Sequence, residues 1–444
     1  MQASLGHTDY GLFTALFSLG YIFASLTDVG LNQYITKKLA TEPNRLQEVF
    51  SNIFSLKLIM LIVYPAFMSA VGYCLSYSTN EIYLLAVLSF GQALIQLTFF
   101  FRANFQANQH FKIDSLASIL DKFILIILVV IMISQRITLE SYVYATLASI
   151  FITTLLFYFV TVKLFDFIAP KLEVQKMNEL IKLSIPFAVI TILYSINEKV
   201  DSVMIERLSD ENHKSDPGLY AASYRFLSAI MMYLWTVLPI FFAKFAYNHA
   251  SAKEKQKLLN FGQVIASLPM IFVGVFILFY ADILLGFFQK NSSPEEIADM
   301  SNLLRILMLS SILQGVFAIY STLLTSTGYE KQVSKMIVVS ILMNVIGNFI
   351  FIPFYGPFAS AWITASSTLL LSGLYVYYTH TKLEVKVPYN ILLRLLIVSV
   401  LFAGLFYLLT FTTLPWYFVS MLAGAALLVF SYLAGLLKLM LSRD

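Results

Sequence analysis

Apolar stretches of about 20 residues, the length that crosses a bilayer as a helix, recur from one end of the chain to the other. Short polar connections separate them. We read about thirteen transmembrane helices, placed roughly at 9–33, 50–75, 82–106, 115–134, 140–164, 184–208, 217–244, 260–280, 301–326, 333–353, 357–379, 389–411 and 414–438. The pattern predicts an all-α polytopic membrane protein. Composition agrees, with 59% hydrophobic and 12% charged residues, against about 25% charged in a soluble domain.

The connections alternate in charge. One set carries Lys37, Lys38 and Arg45, then Lys112, then Lys163, Lys171, Lys176 and Lys182, then Lys244, Lys253, Lys255 and Lys257, then Lys331 and Lys335, Lys382 and Lys386, and finally Lys438 and Arg443. The other set carries Arg136, Lys214 and Lys290. The positive-inside rule assigns the first set to the cytoplasm, which puts the C-terminus inside and Met1 outside. A first span entered from outside after so short a leader leaves two readings, a preceding helix that this chain lacks or an N-out protein with an odd number of helices. No basic segment precedes the first apolar run, so no cleavable signal peptide is read. The single cysteine, Cys74, excludes an intramolecular disulfide and a thiolate metal cluster.

Two connections are longer. In 165–183, Val174, Met177, Leu180 and Ile181 recur at helical spacing opposite lysines, which predicts an amphipathic helix on the cytoplasmic surface linking two halves. In 281–300, outside, Ser292 or Ser293 is a candidate cap, with Pro294, Glu295 and Glu296 in the first turn. "FQANQHFKIDS" (105–115) and "LTSTGYEKQVS" (324–334) both close one span and open the next, a hint of internal repetition of the kind transporters show.

Charge inside the spans is the strongest chemical signal, because an ionisable group at mid-bilayer costs at least ~3 kcal/mol on insertion scales. Asn197 and Asp201 share a face of the sixth span. Glu198 lies about 60° from Asp201 around the helix and Lys199 about 160°. Lys57, Arg102, Asp121, Lys122, Arg225 and Arg305 sit in other spans. Lys57 and Arg225 are the leading candidates for a cationic cavity. Arg102, Lys122 and Arg305 have snorkelling to an interface as the competing reading, and Asp201 has structural pairing with Arg225. Asn344 and Asn348 read as interhelical hydrogen bonders. Several helices each carrying a buried cation suit an anionic substrate in a water-filled interior.

The chain resembles the polysaccharide flippases of the MOP superfamily, the Wzx-like O-antigen branch. The resemblance rests on Leu5-Gly6 with Tyr10-Gly11, on Asp28-Val29-Gly30-Leu31, and on "KLSIPFAVITILYSINEKVDSVMIERL" with its Asn197/Asp201 pair. It continues through "DPGLYAASYRF", which carries Arg225, and through "TGYEKQVSKMIVVSILMNVIGNFIFIPFYGPFASAWIT" with Asn344, Asn348, Ile352, Pro353, Tyr355 and Gly356. Pro357 departs from the small aliphatic residue usual there. The resemblance implies two pseudo-symmetric helical lobes around a central cavity, plus two extra C-terminal helices, with the usual first helix missing. The corresponding domains are an N-terminal lobe at 1–164, a cytoplasmic amphipathic linker at 165–183, a C-terminal lobe at 184–379 and an additional helix pair at 380–444.

The implied function is alternating-access translocation of an undecaprenyl-diphosphate-linked oligosaccharide (an O-antigen, capsule or exopolysaccharide repeat unit) to the outer leaflet of a bacterial inner membrane. Candidate substrate contacts are Lys57, Arg102, Asn197, Lys199, Asp201, Arg225 and Arg305. Candidate coupling residues for a proton or sodium counter-ion are Asp201, Glu198 and Asp121. Glycan polymerase and chain-length proteins are candidate partners. No cofactor, metal, catalytic residue or nucleic-acid partner is implied.

Two other classes compete. A multidrug exporter of the same superfamily needs acidic cavities for cationic drugs, and these spans hold as many cations as anions. A membrane glycan polymerase or ligase needs a catalytic base or a sizeable outer loop. No D-x-D occurs, and His7, His110, His213, His249 and His380 fall in loops or at span ends.

Overall fold

The computed structural model describes residues 5–28, 46–107, 110–132, 137–165, 170–171, 173–209, 214–247, 252–383, 385–412 and 415–436. Lys37, Lys38, Arg45, Val29-Gly30-Leu31, Arg136, His213, His249, Lys438 and Arg443 lie outside them, as do the side chains of Val174, Lys176, Met177, Leu180, Ile181 and Lys182. Among the described residues the protein is helical, with ten helices long and apolar enough to cross a membrane.

Contacts divide the chain into two units, Met1–Arg207 and Leu208–Asp444. The first holds α1 (His7–Ala24), a short 3-10 turn (Ser25–Thr27), α2 (Leu46–Cys74), α3 (Thr79–Ala107), α4 (Phe111–Met132), α5 (Leu139–Phe165) and α6 (Val174–Leu208). The second holds α7 (Asp216–Tyr247), α8 (Ala252–Phe288), α9 (Pro294–Ser326), α10 (Glu330–Lys382), α11 (Tyr389–Thr410) and α12 (Trp416–Leu433).

Each unit is built around one helix. In the first, α3 packs against α1, α2, α4 and α5. Its core is aromatic, with Phe54 stacked on Phe100 at 6.2 Å and on Tyr158 at 6.3 Å. In the second, α9 packs against α7, α8 and α10. There the helices approach closely because Gly315 leaves room: a Cβ at Gly315 would lie 2.6 Å from the Met270 Cβ. The two hub helices end in the two similar stretches, 105–115 and 324–334. The extra pair α11 and α12 packs on α8 through Phe402, Phe406, Val419 and Ala423.

Local chemistry sets the element ends. Ser293 caps α9, accepting from the Glu296 N–H while the Glu296 carboxylate accepts from the Ser293 N–H, with Pro294 in the first turn. The predicted spans 333–353 and 357–379 form one helical run of 53 residues, broken at Gly356 (φ 54°, ψ −142°) between Pro353 and Pro357. A straight run of that length would reach about 80 Å, far more than the hydrocarbon core. It folds back instead: Ser340 donates to the Ser367 carbonyl at 3.2 Å, and Gly347 packs on Ile363. The predicted surface helix at 165–183 differs in continuity. From Val174 onward the backbone is one helix through to Leu208.

The C-terminal end of α6 is clasped to the α2–α3 turn. Tyr77 donates to Glu206 Oε2 at 2.7 Å, Arg207 Nε donates to the same oxygen at 2.9 Å, and Arg207 donates to the Leu75 carbonyl at 3.2 Å. The guanidinium lies 3.2 Å from the Tyr77 ring centre. Burial, then the Glu206 carboxylate, pushes the Tyr77 phenol above its usual range, so it remains a donor.

Candidate functional site

The first unit encloses a cavity of about 380 Å³ between α1, α3, α4, α5 and α6. The hub helix α3 supplies more of its polar wall than any other helix, with Gln92, Gln96, Thr98 and Arg102. Gln92, Gln96, Phe99 and Arg102 follow one another at steps of four, three and three residues, so a single helix presents amide, ring and guanidinium along its length. Tyr21 and Phe17 come from α1, Asp121 and Lys122 from α4, Thr153 from α5 and Ser195 from α6.

Several of these groups hold one another. Gln92 Nε2 donates to the Phe17 carbonyl at 2.8 Å, which ties α3 to α1. Thr98 and Thr154 share a hydrogen bond at 2.9 Å. Arg102 Nε donates to Asp114 Oδ1 at 2.6 Å, and its guanidinium lies 5.6 Å from the Phe99 ring centre. A guanidinium has four further N–H donors in a planar fork that suits phosphate. Lys122 pairs with its neighbour Asp121 at 2.9 Å and is largely exposed. The charged lining is thus two cations and one carboxylate.

The candidates from the sequence fall in different places. Arg102 and Asp121 line this cavity. Lys199 pairs with Glu198 at 2.8 Å and sits 5.5 Å from the ring centre of Tyr21, a lining residue. On the face they share, Asn197 is exposed and Asp201 buried. Lys57 is only 2% exposed and binds Asp28 Oδ1 at 2.5 Å. It is absent from the cavity lining, so its charge is met by a carboxylate 29 residues earlier. Arg225 is an exposed residue of α7. Arg305, in the N-terminal part of α9, is held by Asp282 at 2.5 Å and by the Leu278 carbonyl at 3.0 Å. Asn348 donates to Asn344 at 3.0 Å, and Asn344 reaches Thr364 across the α10 fold at 3.5 Å.

Tyr21, Gln92, Gln96 and Phe99 were not among the sequence candidates. The two glutamines form an i, i+4 amide pair inside an apolar span, the same signal that singled out Asn344 and Asn348.

Comparison with known proteins places the chain in a family. The family model described as "Polysaccharide biosynthesis protein" matches residues 1–243, more than half of the chain. A second model, MatE, matches residues 186–350. No curated protein sequence matches the chain. Among solved structures, the lipid II flippase MurJ in an inward closed conformation superposes with a TM-score of 0.76 at 16% identity, covering 97% of each chain. An inward-facing multidrug resistance MATE family transporter of the MOP superfamily gives 0.70 at 15%, covering 86% of this chain and 92% of that one. A MOP superfamily transporter from Pyrococcus furiosus, described as having a binding pocket of reverse polarity, gives 0.60 at 15%, covering 85% and 88%. The chain is a multi-pass membrane protein with the fold of the MOP superfamily, and it belongs to the polysaccharide biosynthesis protein family.

Proposed function

We propose that the protein flips an undecaprenyl-diphosphate-linked oligosaccharide from the cytoplasmic to the outer leaflet of a bacterial inner membrane by alternating access. The observation that carries this reading is a coincidence of two facts. The residues matched by the polysaccharide biosynthesis model are those that build the cavity with Arg102 and Lys122 in its wall. A diphosphate and a glycan cannot enter hydrocarbon. Charge-assisted hydrogen bonds from a guanidinium and an ammonium offset the loss of water around the phosphates, while amides and hydroxyls serve the sugar.

The test is export in a strain that makes a lipid-linked glycan but lacks its flippase. The wild-type chain restores surface glycan. The double variant Arg102→Ala/Lys122→Ala, at equal membrane insertion, lowers export at least tenfold. Undiminished export by this variant, and by Arg225→Ala, contradicts the reading.

The MatE match over 186–350 supports a second reading, a multidrug exporter. Such an exporter takes organic cations, which two cations against one carboxylate do not favour. It predicts raised drug tolerance on expression with no effect on surface glycan, and the same strain measures both.

A further inference from the structure

We propose that the first-unit cavity reads the sugar that follows the diphosphate, with Gln96 as the specificity-determining contact, Tyr21 and Phe99 as its stacking surfaces and Arg102 as the phosphate anchor. This rests on the flippase reading and adds the part of the substrate that each residue meets.

Most polar groups around the cavity are already engaged; among the described residues the Gln96 amide and the Tyr21 hydroxyl are not. Gln92 is bound to the Phe17 carbonyl, Thr98 to Thr154, and Thr153 to the Ser149 carbonyl at 2.8 Å. Gln96 lies one helical turn from Gln92 on the same stripe, lines the cavity, is half-buried and has no hydrogen-bond partner among the described residues. A carboxamide inside a membrane-spanning helix is costly without a partner, so Gln96 bonds to what fills the cavity: water when it is empty, and the substrate group that displaces that water when it is loaded. Its oxygen accepts and its nitrogen donates twice. That is the complement of a sugar hydroxyl pair or an acetamido group, and it offers a phosphate only the nitrogen.

The aromatic faces agree. Tyr21 and Phe99 remain 38% and 41% exposed although they line a cavity. Each ring has a cation near one face, Lys199 at Tyr21 and Arg102 at Phe99, and the opposite face, beside an amide, accepts the C–H face of a pyranose. Spacing links the two poles: Gln96 and Arg102 are six residues apart, about 9 Å along the helix axis. That is the reach from a phosphate oxygen across one attached ring. The volume of about 380 Å³ lies near the lower limit of ligand pockets and admits the sugar next to the diphosphate, not a whole repeat unit.

The experiment uses the full chain in nanodiscs and native mass spectrometry. The probes are undecaprenyl diphosphate alone and a panel of the same carrier bearing one hexose or one N-acetylhexosamine. Wild type binds at least one sugar-bearing carrier five- to tenfold more tightly than the bare carrier. Gln96→Leu erases that preference while bare-carrier affinity stays within twofold, which also shows the variant is folded. Tyr21→Leu reduces the same preference, and Arg102→Gln weakens all probes about equally. A preference that survives both Gln96→Leu and Tyr21→Leu, or a wild type with no preference across the panel, overturns the sugar assignment and leaves the flippase reading standing. Failure of the wild type to bind any carrier overturns both.

Discussion

Lys57 and Asp28 show how a buried charge in a membrane helix acquires a partner. Lys57 is almost wholly enclosed, and the 2.5 Å contact with Asp28 is what makes its ammonium tolerable there. Removing one member of a buried pair leaves the other uncompensated, at a cost of about 3–5 kcal/mol. Asp28→Asn therefore lowers the melting temperature of the purified protein sharply, and adding Lys57→Met to it recovers most of the loss. Lys122 makes the contrast. Its side chain is 66% exposed, pairs of that kind contribute about 0–1 kcal/mol, and Lys122→Gln leaves the melting temperature nearly unchanged. Both measurements come from one thermal-unfolding series. The sequence gives the depth of Lys57 through its position in an apolar run. It does not give the partner, because Asp28 lies on another element and no periodicity connects the two. Gln96 escapes notice for a related reason: an uncharged amide barely lowers the hydropathy of its span, and only the cavity around it makes it conspicuous.

At the scale of elements, punctuation is legible and continuity is not. Pro353, Gly356 and Pro357 mark the break in α10 in the sequence itself. The structure adds that Gly356 sits in a region of backbone space open to glycine, with Asp216 Oδ2 only 2.8 Å from where a Cβ would be. Gly356→Ala meets both obstacles. Backbone strain of this kind costs about 1–3 kcal/mol, so the variant loses at least that much stability, read as a fall in melting temperature. Ser293→Ala removes a helix cap worth about 1 kcal/mol and gives a smaller fall in the same assay. The run from Val174 to Leu208 was harder to read. The periodicity of 165–183 reports which side chains are polar, and a change from polar to apolar side chains looks like a boundary although the backbone hydrogen bonds continue through it. The clasp of Tyr77, Glu206 and Arg207 was equally hidden, since it joins a turn to a helix end 129 residues away.

For the whole molecule, the class of fold is readable because hydropathy and loop charge are properties of long segments, which survive errors at single residues; against the thirteen spans read from the sequence, ten helices among the described residues are long and apolar enough to cross a membrane. The same segments predict orientation. A fluorescent protein fused after Asp444 should fluoresce, and alkaline phosphatase inserted at Asn291, in the turn between α8 and α9 that loop charge assigns to the outside, should be active. The opposite result at either site would reverse the assigned topology. The Lys57–Asp28 pair carries a consequence at this scale that concerns biogenesis. Asp28 leaves the ribosome before Lys57, which lies in the first third of its span; a lone Lys costs up to about 2.5–3.5 kcal/mol at a helix centre at the translocon and less towards the ends. A carboxylate that has already emerged ahead of α2 would neutralise that ammonium as α2 enters the bilayer. Asp28→Asn would then delay membrane entry of α2 in a nascent-chain assay, before any tertiary fold exists to be destabilised.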